Sequence, residues 1–183
     1  TNCQFDDNGQ ASIRIYSCFN VEVAGNSISD SNRKGRGYGV SVADATAFVN
    51  IHDNLIKNCR HDIMSGTAKF EALNRDIVIS NNTLYGSSVA DANVIDAHPM
   101  TIDYTVTGNS VYPKSGFFAF YDGTLESVFS DNYVYGGGGV KRRGSVDNGQ
   151  HVIKNNDVEG GSLYQSAGYG VGDTLHISGN SNK

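Results

Sequence analysis

With 183 residues and a net charge of −5, the chain is long enough for a substantial core, and its acidity argues against nucleic acid or an anionic membrane as partner. No apolar run approaches the roughly 20 residues of a membrane-spanning helix. Three cysteines (Cys3, Cys18 and Cys59) cannot all pair with one another, which favours free thiols over a disulfide scaffold. We therefore predict one domain over residues 1–183, with no nucleic-acid or membrane partner.

A short segment centred on asparagine recurs along the chain at intervals of 28, 28, 27, 23, 24 and 24 residues. The first three copies read VEVAGNSI, VNIHDNLI and IVISNNTL. An apolar residue stands three places before the asparagine, and Gly, Asp or Asn stands immediately before it. Because those three residue types tolerate a left-handed backbone, each copy predicts two short strands joined at a corner. The central residues are Asn26, Asn54, Asn82, Asn109, Asn132, Asn156 and Asn180.

Repeats of this length indicate a solenoid with one coil per repeat. Stacked asparagines would hydrogen-bond between coils, since an unpaired buried amide costs about 1–3 kcal/mol. We predict an all-β fold, a right-handed, single-stranded parallel β-helix of about seven coils. An antiparallel β-sandwich is less favoured, because its turns would recur every ~8–12 residues. Neither end shows a polar capping repeat, so we expect a fragment of a longer chain, or an oligomer whose neighbours cover the ends.

Another strand is predicted about 14 residues before each corner. Its copies are GYGVSVAD, RHDIMSGT, NVIDAHPM, GFFAFYDG and GGGVKRRG. Residues one and three places after the inward-facing position then point outward. The inward positions of this alignment are Val40, Ile63, Ile95, Phe118 and Val140.

This alignment places His98, Tyr121 and Arg143 in one outward row, about 5 Å apart on consecutive coils. Asp96 lies beside His98 and Lys141 beside Arg143. Arg60, His61 and Asp62 lie at the bend of the preceding coil, and Asp122 closes the far side. Small residues (Gly66, Gly116 and Ala119) leave room for a ligand. The insertion SGTAKFEALNR (65–75) is expected to wall the cleft as a loop or short helix.

An extended row of ionisable residues suits a polymer better than a small metabolite. A lyase or epimerase would use His98 and Tyr121 to move protons while Arg143 or Lys141 neutralises a uronate carboxylate. A hydrolase would pair Asp96 with a second carboxylate roughly 5–9.5 Å away, from Asp62 or Asp122. A phosphodiesterase would hold phosphate with the basic residues and use His98 as acid or base.

A plainer interpretation is that these side chains are solvated, and that His61 is a buried, hydrogen-bonded histidine. The basic strings NRKGR (32–36) and KRR (141–143) are interpreted as solvated surface. No cofactor is predicted, with calcium held by Asp62, Asp96 and Asp122 as the alternative. Cys59 is expected to be a small buried residue rather than a nucleophile.

The asparagine repeat, together with GYGV (37–40), NCRHDI (58–63) and DAHP (96–99), resembles the bacteriophage tailspike and preneck-appendage proteins of the pectate-lyase-like β-helix superfamily. The resemblance implies a homotrimer that adheres to a host and binds and degrades capsule, lipopolysaccharide or teichoic acid. It implies a protein of the virion tail, made in the host cytoplasm and acting outside it, or otherwise a secreted protein. Candidate catalytic residues carried over are His61, Asp96 and His98, with Arg60 as a binding residue.

We predict from the residues and the resemblance together that Asp96 and His98 form an acid–base pair supported by Tyr121. Arg60, Asp62, Asp122, Lys141 and Arg143 are the predicted substrate-binding residues. The rival functions are a receptor-binding module without turnover and a purely structural β-helix spacer.

Overall fold

The computed structural model describes residues 1–66, 72–89, 92–122, 124–143, 149–166 and 174–183; the side chains of residues 120–122 and 143 lie outside this description. The strands, numbered in chain order, wind into a parallel β-solenoid of about six turns. Each coil adds one strand to each of three parallel sheets. Among the described residues no helix is long and apolar enough to cross a membrane.

The three sheets follow the order B, C, A along each coil. Sheet B comprises β2 (Ala11–Tyr16), β5 (Tyr38–Ala43), β8 (His61–Ser65), β11 (Ile95–Ala97), β14 (Phe117–Asp122), β17 (Gly138–Arg143) and β20 (Tyr164–Ser166). Sheet C comprises β3 (Phe19–Ala24), β6 (Ala47–His52), β9 (Asn74–Ser80), β12 (Thr101–Thr107), β15 (Glu126–Ser130), β18 (Gln150–Lys154) and β21 (Thr174–Ser178). Sheet A comprises β1 (Gln4–Asp6), β4 (Ser27–Ser29), β7 (Leu55–Lys57), β10 (Thr83–Leu84), β13 (Ser110–Val111), β16 (Tyr133–Tyr135), β19 (Asp157–Glu159) and β22 (Ser181–Asn182).

The predicted asparagine corners lie between sheets C and A and form a continuous ladder. Asn54 is typical: its backbone N–H and its Nδ2 each donate to Oδ1 of Asn82 on the next coil, both at 3.0 Å. Nδ2 also donates to the carbonyl of Val23 on the preceding coil at 2.8 Å. The residue before each asparagine has a φ between +54° and +66°. The ladder thus pairs the buried amides that the repeat places at these corners, and the predicted corner is confirmed.

Apolar side chains from the three sheets fill the centre of the coils. The residues three places before the asparagines are fully or almost fully buried from Val23 to Ile153, whereas Ile177 on the last coil is 47% exposed. The ring of Phe129 packs against those of Tyr104 and Phe118, with centroids 6.5 Å apart in both pairs. Each fully buried large apolar side chain contributes about 1.5–3 kcal/mol, so this column stabilises every coil against its neighbours.

The register of sheet B corrects one part of the predicted alignment. Val40 pairs with Ile63 and Ile63 with Ile95 as predicted, but Ile95 pairs with Ala119 rather than with Phe118. Phe118 and Ala119 are two successive residues and both belong to the buried core. Ala119 therefore does not form the floor of an outer cleft.

The one-residue shift also changes the predicted outward row. Tyr121 pairs with Ala97, which is fully buried, and not with His98. Asp122 pairs with Arg143 and stands one residue beyond the Ala97–Tyr121 pair, level with His98. The predicted row of His98, Tyr121 and Arg143 is wrong, since the backbone register places Asp122 and not Tyr121 between His98 and Arg143.

Candidate active site on the outer face of sheet B

Three ionisable side chains meet where β8 and β11 lie side by side. Oδ2 of Asp96 lies 3.0 Å from Nε2 of His61 and 3.4 Å from Nε2 of His98. The outer position of Asp96 is set by the register, which pairs it with Met64 and Ser41 on the two preceding coils. Asp96 thus lies between His98, which follows it on the same coil, and His61 on the preceding coil. We call His61, Asp96 and His98 the His–Asp–His cluster.

The two histidines of the cluster differ in their accessibility. His61 is buried, its Nδ1 lies 2.7 Å from the carbonyl of Asn93, and its ring stacks on Tyr38 with centroids 5.8 Å apart. The side chain of His98 is 40% exposed. His98 can therefore touch a substrate, whereas His61 can act only by holding Asp96. The interpretation of His61 as a buried, hydrogen-bonded residue matches its environment, and a direct catalytic contact does not.

The cluster holds polar atoms without a hydrogen bond. Oδ1 of Asp96 is buried and makes none, and Nε2 of His61 is close to Asp96 without hydrogen-bond geometry. An unpaired buried polar atom costs about 1–3 kcal/mol, so the fold retains an unfavourable arrangement at this place. Such arrangements are typical of functional sites, although structural ion pairs also occur.

Gly66 makes room for His98. It ends the strand with a φ of +110°, and a Cβ at this position would lie 2.7 Å from Cβ of His98 and 2.9 Å from its carbonyl oxygen. The N–H of His98 donates to the carbonyl of Ser65 at 2.8 Å, which fixes the backbone on the adjacent coil. A side chain at residue 66 would therefore push His98 away from Asp96.

Two adjoining clefts run along the outer face of sheet B. One, of about 270 Å³, is lined by Arg60 and His98. The other, of about 280 Å³, extends over the earlier coils and is lined by Arg14 and Arg36. Both clefts share the lining residues Tyr38, Met64 and Gly66. Together they form a groove, here called the sheet B groove, with a histidine at one end and arginines along its length.

Arg14, Arg36 and Tyr38 are groove residues that the sequence analysis missed. Arg36 belongs to NRKGR, which was interpreted as solvated surface, and Arg14 stands on β2, a strand that the alignment did not include. An alignment extended by one coil towards the start of the chain would have included Arg14. This residue pairs with Ser41, which occupies the same position of its strand as Asp96. Arg36 lies in the loop before β5, where the repeat sets no position.

Asp62 does not face the groove. It is fully buried, and its Oδ2 accepts a hydrogen bond of 2.9 Å from the N–H of Gly86 at the corner after sheet A. Burial raises the pKa of Asp62 to about 7, against the opposing effect of backbone N–H groups from Gly86, Cys59 and Tyr85. The side chain of Asp62 is therefore turned from β8 towards the corner after sheet A. Its predicted roles as substrate ligand and second catalytic carboxylate do not fit this position.

Of the remaining predicted site residues, the structure describes the side chain of Lys141 but not those of three others. Lys141 stands in the outward column of Asp96, two coils further on, with Nζ 4.9 Å from the ring centre of Phe117. The side chains of Tyr121, Asp122 and Arg143 lie outside the described part of the chain, as do residues 67–71 of the predicted cleft wall. The buried position of Cys59 is confirmed, and burial raises the pKa of its thiol to about 12.

The described side chains include no group of three His, Cys, Asp or Glu residues arranged to hold a metal ion. Two of the carboxylates proposed for calcium point in different directions. Asp62 is turned towards Gly86, while Asp96 faces the two histidines.

No family model, curated protein or solved structure matches this chain. The parallel β-helix is established by the sheets and their register, and the chemistry of the sheet B groove is argued from its own residues.

Proposed function

We propose that this domain binds an extended anionic polymer along the sheet B groove and cleaves it with His98 as the acid–base residue. The observation that carries the proposal is the groove itself, in which an exposed histidine backed by a buried carboxylate shares a surface with Arg14, Arg36 and Arg60. A row of arginines suits a polymer with a carboxylate or phosphate on each repeat, because guanidinium groups bind both in a bidentate manner.

The pairing of His98 with Asp96 supplies a general base. Nε2 of His98 lies 3.4 Å from Oδ2 of Asp96, and in the tautomer that carries its proton on Nε2 the other ring nitrogen, Nδ1, would be the proton acceptor. The carboxylate would stabilise the imidazolium that forms when His98 takes a proton. His61 lies against Asp96 on the buried side, with Nε2 3.0 Å from Oδ2, and would limit the movement of this carboxylate away from His98.

The described residues favour β-elimination on a uronate polymer over hydrolysis. In elimination, His98 removes the proton α to the uronate carboxylate, the electron pair forms a carbon–carbon double bond, and the bond to the glycosidic oxygen breaks. The leaving oxygen takes a proton from water, the hydroxide that remains takes the proton held by His98, and an arginine neutralises the uronate carboxylate. Hydrolysis needs a second carboxylate roughly 5–9.5 Å from the first, and of the two predicted candidates Asp62 is turned away while the side chain of Asp122 lies outside the described part of the chain.

Incubating the domain with acidic capsule, lipopolysaccharide and teichoic acid preparations, followed by mass analysis of the products, tests the proposal. Elimination is expected to give a new ultraviolet absorbance and products that have not gained water. Products that have gained water without absorbance would replace the lyase with a hydrolase or phosphodiesterase. Binding with unchanged polymer length would support a receptor-binding module, and no binding to any preparation would contradict the proposal.

A variant pair connects the cleavage to the groove. His98→Ala is expected to lower the turnover by about 100-fold or more, in keeping with the usual contribution of a general acid or base. His176→Ala is the matched control, because His176 is exposed on sheet C and pairs with Val152, away from the groove. Equal turnover in the two variants would remove His98 from the mechanism.

The biological setting that we propose is a tailspike-type protein of a bacteriophage, homotrimeric and attached to the virion tail, which adheres to a bacterial surface polymer. The support for this setting is the parallel β-helix and the resemblance of the motif strings. Sedimentation of the full-length protein would test the trimer, and adsorption of the purified domain to encapsulated and capsule-free cells would test host adhesion.

A further inference from the structure

A second cleft lies on the outer face of sheet A. It has a volume of about 510 Å³, within the usual ~300–1,000 Å³ of ligand pockets, and its lining residues are distinct from those of the sheet B groove. It is lined by Asp30, Leu55, Lys57, Asn58, Tyr85 and Lys114. We call it the sheet A cleft.

A ladder of tyrosines ends at this cleft. Tyr85 and Tyr112 stack with ring centroids 4.9 Å apart and planes 15° apart, and Tyr135 follows at 6.1 Å from Tyr112. The first spacing equals the distance between neighbouring strands, so the stack follows the coils. Leu84 pairs with Ile56, so the residue level with Tyr85 on the preceding coil is Lys57. Since Lys57 has no ring, Tyr85 is the last ring of the stack. The stack holds the Tyr85 ring in place at the edge of the cleft.

The polar side of the cleft is also fixed before a ligand binds. Nδ2 of Asn58 donates to Oδ1 of Asp30. Both residues occupy left-handed corners, with φ of +63° at Asp30 and +55° at Asn58, and backbone hydrogen bonds link these corners from coil to coil. Because Nδ2 of Asn58 donates to Asp30, Oδ1 of Asn58 and the second carboxylate oxygen of Asp30 can accept hydrogen bonds from hydroxyl groups of a ligand.

We propose that the sheet A cleft is a second saccharide site that takes a uronic acid residue. An aromatic ring beside the apolar Leu55 suits the C–H face of a sugar, two oxygen acceptors suit its hydroxyl groups, and the two lysines suit its carboxylate. The site goes beyond the proposed cleavage and does not depend on it, since it uses none of the groove residues. It would hold an acidic polymer to the solenoid at a place separate from the His–Asp–His cluster.

Nuclear magnetic resonance titration of the isotopically labelled domain with oligosaccharides of galacturonate, mannuronate and hyaluronate tests the site. The expected result is a set of shifts at the Leu55 methyl groups and at the amides of Lys57, Asn58 and Lys114 with at least one of these probes. Uncharged malto-oligosaccharides are expected to shift them less. Absence of shifts at these groups with every acidic probe would overturn the proposal.

Variants make the assignment specific. Tyr85→Ala is expected to weaken binding about five-fold, and Lys57→Gln with Lys114→Gln about tenfold, with loss of the preference for acidic probes. Tyr133→Ala is the control, because Tyr133 is exposed on the same sheet but is not a lining residue of the cleft. Unchanged binding in both cleft variants would overturn the site. Retained sheet A shifts in His98→Ala are expected, so failure of the groove proposal and failure of this one remain distinguishable.

Discussion

The asparagine corners and the His–Asp–His cluster both bring buried polar side chains of neighbouring coils together, yet they differ in how those groups are hydrogen-bonded. At a corner, every Nδ2 of the inner asparagines donates to the next coil and to the coil before, at 2.8–3.0 Å. In the cluster, Oδ1 of Asp96 makes no hydrogen bond and the neighbouring histidine contact is not a well-formed one. The difference separates polar groups that hold the solenoid together from polar groups that remain available for chemistry.

The largest expected effect is loss of a corner. Asn82→Ala removes the acceptor for the backbone and side-chain N–H groups of Asn54, and the donor to the carbonyl of Ile51. With about 1–3 kcal/mol for each buried group left unpaired, we expect the free energy of unfolding to fall by about 4 kcal/mol. Urea denaturation followed by circular dichroism measures this change.

Asn81→Gly is the control for that variant. Asn81 is exposed and has a φ of +54°, a conformation that glycine adopts freely, so its replacement is expected to change stability by less than about 1 kcal/mol. A similar loss in both variants would mean that the ladder contributes no more than any corner residue.

The second expected effect concerns Asp62, the carboxylate that joins the corner of sheet A rather than the groove. Its pKa of about 7 in the folded chain lies above the ordinary value near 4, so between these values the folded chain holds a proton that the unfolded chain has released. Stability from this group is therefore present at low pH and falls as pH rises from about 4 to about 7, by on the order of 3 kcal/mol.

Asp62→Asn is expected to remove this fall, since the amide cannot titrate and its oxygen can still accept the N–H of Gly86. The measurement is the difference in unfolding free energy between the two proteins from pH 4 to pH 8. His151, whose pKa burial lowers to about 4, acts in the opposite direction but is common to both proteins and cancels in the difference. A pH profile of Asp62→Asn that runs parallel to the profile of the unchanged protein would contradict the prediction.

The third prediction tests whether Asp96 belongs to the chemistry. Asp96→Asn keeps the shape but removes the charge beside His98, so we expect kcat for polymer cleavage to fall about 30-fold, which is about 2 kcal/mol, with little change in KM. The thermal unfolding temperature serves as the structural readout. A large loss of stability with unchanged kcat would assign Asp96 to the scaffold instead.

The smallest expected effect is at the far end of the groove. Arg36→Gln is expected to raise KM for an anionic polymer about tenfold and to weaken the dependence of KM on salt, because one exposed cationic contact is lost. Arg33→Gln, in the same loop but not lining the groove, is the matched control. Equal KM values for the two variants would remove the polymer from this part of the surface.

The sequence predicted the repeat-based features well and the outer face only in part. The corner asparagines, the left-handed residues before them and the position of Cys59 follow from a column pattern that each coil repeats. The pairing of Asp96 with His98 followed from two-residue spacing along one strand. Tyr121 was placed wrongly because Phe118 and Ala119 are both buried, and the local pattern does not show which of the two is in register with Ile95.

The sequence by itself determined the solenoid. An asparagine that follows a residue able to adopt the left-handed conformation recurs seven times, and each copy favours the same corner. What only the tertiary structure decided is which polar residues meet across coils: that His61 reaches Asp96, that Asp62 turns to Gly86, and that Arg14 and Arg36 line one groove with Tyr38. The physical reason is that strand faces alternate with every residue. A register shift of one residue therefore exchanges the inner and outer positions, and only the pairing between coils shows the register.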